Sequence, residues 1–437
     1  MRAGSTIIGN VVAGGGNDTL VLGGDTSPIP SFDLGEVGTK YTGFETVSKT
    51  GASTWTMTGT AGAPLGHLTV FDGLLKLDGA TASVSNFHVA DGAATVSNGS
   101  AIGSYRIYLG GQSGKTGTLT VSGSGTSMNS TNSVFLGYSA GDAGSLTVAN
   151  GASLTTGYHA FLGNVATSTG TVNVTGANSS WSVADDLRVG YRGTGFLSIA
   201  DGATVSSGKQ TVVGNLSGAK GTLTISGSGS SFTANANMSV GSSGNGTVAI
   251  SNGGALNTSK LLILGSRSGS NATVTVSGTG SSINAADVVT IGQSGQSATL
   301  TLTDGGALNA ASTVNVARFS GSGALNIGAG AGQTAAAAGT ITAGSLTFGN
   351  GDGSLVFNHT GSAYSFATDI RGTGTIAAHA GTTILTGNNT AFTGKTVVNG
   401  GTLRAGGANA FADNTTYEIH GGTLDLGGHD LTMSRLR

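Results

Sequence analysis

A glycine that returns about every 26 residues constrains this chain more than any other feature. It closes a short strand-like segment at Gly110, Gly137, Gly163, Gly190, Gly214, Gly241, Gly265 and Gly292, with Ala317 in the same place. The steps are 27, 26, 27, 24, 27, 24, 27 and 25 residues. A fixed period of this length means stacked supersecondary units, none of which buries its apolar face alone.

Two apolar columns keep the same step. The first is Val121, Val148, Val174, Ile199, Ile225, Ile250, Val276, Leu302 and Ile327, each preceded two residues earlier by another apolar residue, as Leu119 precedes Val121. Apolar residues at i and i+2 with Thr, Ser, Asn or Ala between them mark a half-buried strand. The second column is Met128, Leu154, Trp181, Val205, Phe232, Leu256, Ile283 and Leu308, with Ile102 at its head. Each unit therefore offers about three short strands separated by Gly, Ser and Asn, and no helical periodicity. This predicts an all-β fold, a right-handed parallel β-helix with a coil of about 26 residues. Like residues then lie over like, each buried column residue contributing roughly 1.5–3 kcal/mol.

The corners alternate in kind. After the first column the chain reads Asn-Gly or Asp-Gly at Asn98, Asn150, Asp201, Asn252 and Asp304, and Ser-Gly or Thr-Gly at Ser122, Thr175, Ser226 and Ser277. Asx-Gly pairs tolerate positive φ and bring side-chain caps, which suits a tight turn. The full repeat is therefore two coils long, about 51 residues.

Composition removes several other classes. Of 437 residues 80 are glycine, but without a three-residue period, and only 3 are proline, so collagen is excluded. Charged residues make up 9%, too few for a solvated, disordered chain. Lys+Arg number 18 against 20 Asp+Glu, and aromatics are 5%. There is no basic excess and no general stacking platform, so nucleic acid and other polyanions are poor partner candidates. With no cysteine, neither disulfides nor thiolate metal sites are available. The opening MRAGSTIIGN has no apolar stretch of signal-peptide type, and no run approaches membrane-spanning length, so no membrane insertion of these residues is expected.

The alternating units, as in GTLTVSGSGTSM (Gly117 to Met128) and GTLTISGSGSSF (Gly221 to Phe232), resemble the repeat shared by type V secretion passengers and PEP-CTERM surface proteins. TGNNTAFTGKTVVNGGTL (Thr386 to Leu403), followed by GGTLDLGGHDLT (Gly421 to Thr432), is similar to the autotransporter-associated β-strand repeat. FETVSKTGASTWTMTG (Phe44 to Gly59) is similar to passenger segments as well. The resemblance implies a bacterial autotransporter passenger domain, exported and then displayed at the outer membrane or released. It also implies an outer-membrane translocator barrel of alternating strands, which nothing in these residues matches. The break inside a repeat at Met433-Ser434-Arg435-Leu436-Arg437 reads as a fragment boundary.

Four segments are expected. Residues 1–60 form an irregular capping segment in which Pro28 and Pro30 help close the edge, 61–328 the repeat stalk, 329–340 an Ala/Gly-rich loop, and 341–437 further coils in a different register.

No residues are assigned to catalysis, to a cofactor or to a metal. AGGGNDTLV (Ala13 to Val21) nearly matches the calcium-binding nonapeptide of β-rolls, but one copy cannot supply a site built between stacked copies. A glycan lyase or hydrolase would need carboxylates converging across a groove. Asp185 and Asp287 share a slot occupied by Lys209, Ala236 and Lys260 in the coils between. Asp185 and Asp186, as neighbours in an extended segment, should face opposite ways. The histidines at 67, 88, 159, 359, 379, 420 and 429 share no common register. Trp181 and Phe232 fall in a core column, which favours interior packing over sugar stacking. The expectation is thus a non-catalytic adhesin or stalk that meets host or neighbouring-cell surface molecules, protein or glycan, or further copies of itself. A polysaccharide lyase or hydrolase on the same solenoid and a calcium-stabilised roll are the alternatives.

Overall fold

A computed structural model describes residues 1–2, 5–25 and 29–437; Pro28 lies outside the described residues. Strand accounts for 55% of the chain and helix for 1%. The fold is a parallel β-solenoid with coils of about 25 residues. It divides into two compact units, residues 1–209 with 218–220, and residues 210–217 with 221–437.

In the first unit three ladders run side by side. The first ladder stacks Gly92–Ser97, Thr116–Ser122, Ala143–Ala149, Thr169–Thr175 and Thr194–Ala200, all parallel. In it Val121, Val148, Val174 and Ile199 lie directly above one another. The second ladder aligns Met128, Leu154, Trp181 and Val205. All eight residues are buried, because period-two alternation sends every second side chain inward. Trp181 is 1% exposed and its indole N–H donates to Thr156 Oγ1 at 3.1 Å, which satisfies the one polar atom it carries inside. Parallel pairing also reaches toward the N-terminus: Thr19–Leu22 pairs with Thr46–Lys49, which pairs with Leu65–Val70. Lys49 is fully buried there, its ammonium donating to the carbonyls of Thr50, Gly51 and Asp72. Burial pulls its pKa down despite the nearby carboxylates of Asp72 and Asp25.

The second unit repeats the plan with Ile250, Val276, Leu302 and Ile327 in one aligned column and Phe232, Leu256, Ile283 and Leu308 in another. These residues and Ile225 are buried. Residues 329–340 form an excursion, held by the Asn358 amide donating to Gly330 O and Gln333 O. Beyond it the coils shorten: Thr375 pairs with Lys395, and Lys395 with Thr416.

The recurrent glycine sits where the third strand of each coil ends. Gly163, for example, has φ 65°, a conformation that costs other L-residues about 1–2 kcal/mol. A Cβ on it would also lie 2.4 Å from Thr194 O. Ala317 holds the same conformation, φ 53°, with a side chain. At the other corner Asn98, Asn150, Asp201, Asn252 and Asp304 have φ between 53° and 56°. Their side chains reach along the stack, Asn150 to Ser122 Oγ at 2.9 Å and Asn252 to Ser226 Oγ at 3.0 Å, while Asp201 accepts from Thr175 Oγ1 at 2.7 Å.

Candidate functional site

With the interior filled by aliphatic columns, whatever this solenoid binds must be met by outward positions. The third ladder of the first unit stands out among them. Its strands Val134–Leu136, Ala160–Leu162 and Leu187–Val189 are three residues long, two inward residues flanking one outward. The outward positions stack in register as His88, Tyr108, Phe135, Phe161 and Arg188. Rings of Tyr108 and Phe135 are parallel within 7° at 5.3 Å, and those of Phe135 and Phe161 within 11° at 5.3 Å.

More rings join from the flanking turns. Tyr138 meets Tyr108 edge-on at 4.8 Å, Tyr191 packs on Phe161 at 4.9 Å, and Tyr158 lies over the His159 imidazole at 3.7 Å. With Tyr105, five of the eight tyrosines lie on this one face. Tyr105, Tyr138 and Tyr158 are 49%, 43% and 45% exposed. An aromatic surface of this kind, on a solenoid faced elsewhere by Thr, Ser and Asn, makes this face the candidate interaction site.

Charge gathers beside the rings. Arg106 lies 5.0 Å over Tyr105 and Arg192 5.4 Å over Tyr191, a favourable cation–π placement. At the same end His159 Nδ1 sits 3.9 Å from Asp185 and 4.0 Å from Asp186. Lys209 pairs with Asp185 at 2.8 Å and Arg188 with Asp186 at 2.7 Å. The Lys209 ammonium, hydrogen-bonded to it, holds the Asp185 carboxyl below the usual carboxylate range.

This cluster corrects the expectation that Asp185 and Asp186 face opposite ways. The chain bends at these residues between the strands Ser180–Val183 and Leu187–Val189, so the alternation of an extended strand does not apply. His159, Asp185 and Asp186 are the one group of three metal-capable side chains found among the described residues. Each carboxylate already holds a cation, Lys209 on Asp185 Oδ2 and Arg188 on Asp186 Oδ2, while Asp185 Oδ1 faces His159 Nδ1. The geometry therefore reads as a charge-balanced network.

Other candidates take structural places. Asp18 of the AGGGNDTLV segment uses its backbone N–H to reach the Glu45 carboxylate at 2.8 Å. Asp287 and Lys260 belong to the second unit. His359 is buried, with Nε2 2.7 Å from Thr383 Oγ1 and Nδ1 accepting from Gly361 N–H at 3.1 Å. In the second unit a shallow groove of about 460 Å³ is lined by Asn257, Asn284 and Asn309 above Ala285 and Ala310. Its amides bond one to the next at 3.0 and 2.9 Å, and it carries no charge.

No family model matches the chain, and no solved structure matches it. Over 289 residues, 60% of this chain, it is 31% identical to the adhesin BmaC autotransporter of Brucella suis biovar 1 (strain 1330), covering 8% of that protein. The chain is similar to part of an autotransporter adhesin. It is also 31% identical over 246 residues to the uncharacterized protein YuaQ of Escherichia coli (strain K12), 52% of this chain and 17% of that one. The uncharacterized lipoprotein YdeK of the same strain is 39% identical over 150 residues, 31% of this chain and 11% of that protein. The chain thus spans less than a fifth of each of these relatives. Among the described residues no helix is long and apolar enough to cross a membrane.

Proposed function

We propose that this chain is a non-catalytic passenger segment of an autotransporter adhesin, exported to the bacterial surface, where its outward faces attach to molecules on host or neighbouring cells. The observation that carries this reading is the ring-lined third ladder of the first unit, running from His88 through Tyr108, Phe135 and Phe161 to Arg188. Likeness to an adhesin autotransporter supports it. The rings lie outside the buried columns, and the most exposed of them, Tyr105, Tyr138 and Tyr158, are available for contact with something outside the solenoid. A repeated surface also gains from many weak contacts acting together.

Display of the chain on a non-adherent host, followed by counts of cells retained on epithelial layers and abiotic surfaces, tests the reading. Increased attachment that falls when Tyr138→Ser and Tyr158→Ser are combined supports it. No gain in attachment overturns it.

A further inference from the structure

We infer that the aromatic face of the first unit binds a carboxylate-bearing glycan, a chain of pyranose rings that includes uronate or similar acidic sugars. This rests on the adhesive reading above and names its ligand.

The argument begins with charge. The whole chain carries a net charge of −2, which by itself argues against anionic partners. Locally the balance reverses. Arg106, Arg188, Arg192 and Lys209 face this stripe against Asp185 and Asp186. The two carboxylates are matched by Arg188 and Lys209. Arg106 and Arg192 are left without an ion pair among the described residues, each lying over a tyrosine ring.

A guanidinium held over a ring is oriented, weakly hydrated and ready to make the paired hydrogen bonds that a carboxylate accepts. Arg106 is further fixed by Nε donating to Asn132 Oδ1 at 3.2 Å. Arg106 stands beside Tyr108, and Arg192 follows Tyr191, whose coil is three ladder steps on. At about 4.8 Å per coil the two residues are offset by on the order of 14 Å along the stack, and they lie on opposite sides of the ring row, Arg106 two residues before Tyr108 and Arg192 four residues after Arg188. Such spacing suits acidic groups placed at intervals on one extended chain.

Between the two arginines lie the rings. Tyr138 and Tyr158 are nearly half exposed, and the electron-rich face of an aromatic ring attracts the polarised C–H groups of a pyranose. Their hydroxyls supply hydrogen-bonding groups for sugar hydroxyls. An anionic detergent-like or lipid partner would need a continuous aliphatic surface, whereas the exposed groups here are rings and polar tips. A nucleic acid would bind through phosphate charge, and two unpaired cations are few for that.

The test uses the purified chain in affinity electrophoresis through gels cast with polygalacturonate, with the same polymer after carboxyl reduction, and with oligodeoxythymidylate as a polyanion control. Retardation by polygalacturonate is expected at concentrations at least about tenfold lower than by either control, the size of one charge-assisted contact. Arg106→Gln and Arg192→Gln should each weaken the polygalacturonate interaction about tenfold and leave the reduced polymer unaffected, while Tyr158→Ser weakens both. All three sites are at the surface, and circular dichroism melts of the variants check that the fold is kept. Equal retardation by the acidic and reduced polymers, retardation by the oligonucleotide as strong as by polygalacturonate, or arginine variants that behave as the parent would each overturn the inference, as would no retardation at all. If the displayed chain still promotes attachment to cells while polygalacturonate is ignored, the glycan assignment falls and the adhesive reading stands. Without attachment in the display assay, the adhesive reading falls whatever the gels show.

Discussion

The third ladder is built the same way in both units, yet its middle positions carry different chemistry. In the first unit its outward positions are His88, Tyr108, Phe135, Phe161 and Arg188. In the second the same register positions are Val212, Ser239, Ile263, Thr290, Asn315 and Thr347, of which Val212, Ser239 and Thr290 are buried. Inward neighbours are interchangeable: Val134 and Leu136 in one, Leu262 and Leu264 in the other, all buried. Inward residues are thus alike in the two units, whereas the middle position is partly exposed and mostly aromatic in the first and buried at three of its six places in the second. Inside and outside are separate sets of residues on one strand.

The sharpest way to break this comparison is to exchange the roles of the two sets. Ile225→Asp places an unpaired charge where no water reaches and should cost about 3–5 kcal/mol; Thr224→Asp, one residue earlier and facing outward, should stay within about 0.5 kcal/mol of the parent. Thermal melts followed by circular dichroism read both, and equal melting temperatures would mean that the inward assignment is wrong. Gly163→Ala comes next, expected to lose about 2 kcal/mol through its positive φ and the clash with Thr194 O.

Acid should weaken both units. Burial pulls the pKa of His359 below its ordinary value, and does the same for His88 against a smaller opposing hydrogen bond to Gly110 O. A histidine with a folded pKa below its unfolded value of about 6.5 takes up its proton more readily when unfolded. Stability is thus full above pH 6.5 and declines as pH falls below it, toward the folded pKa. Melting temperatures measured from pH 7.5 to 5 should drop, and His359→Asn should flatten part of the decline. A gain is expected from Ala317→Gly, which relieves a positive φ carried by a side chain and should raise stability by about 1 kcal/mol; an unchanged or lower denaturation midpoint would show that the strain is absent.

Much of this was legible in the sequence, because a solenoid repeats its instructions. Spacing alone gave parallel strands and a common register, since an apolar residue such as Val148 reads as core when Val121 and Val174 bracket it. The aromatic face was harder to see. Tyr108, Phe135 and Phe161 each lie two residues before the recurrent glycine, a signal present in the chain but diluted in a composition of 5% aromatics. Chain-wide charge likewise concealed a local excess of arginine and lysine. The convergence of Asp185 and Asp186 on His159 could not be read at all from alternation, because it depends on a bend between strands.

One consequence follows from the in-register stacking of Tyr108, Phe135 and Phe161. Because each coil contributes a single rung to the outward row, the length of that row is counted in whole coils. Loss or duplication of one such segment during replication would shorten or lengthen the track by one step and leave its lining in phase. Slippage of a single residue would instead turn the rings inward. A surface organised in this manner can be resized in discrete increments, as a ruler is cut at its marks.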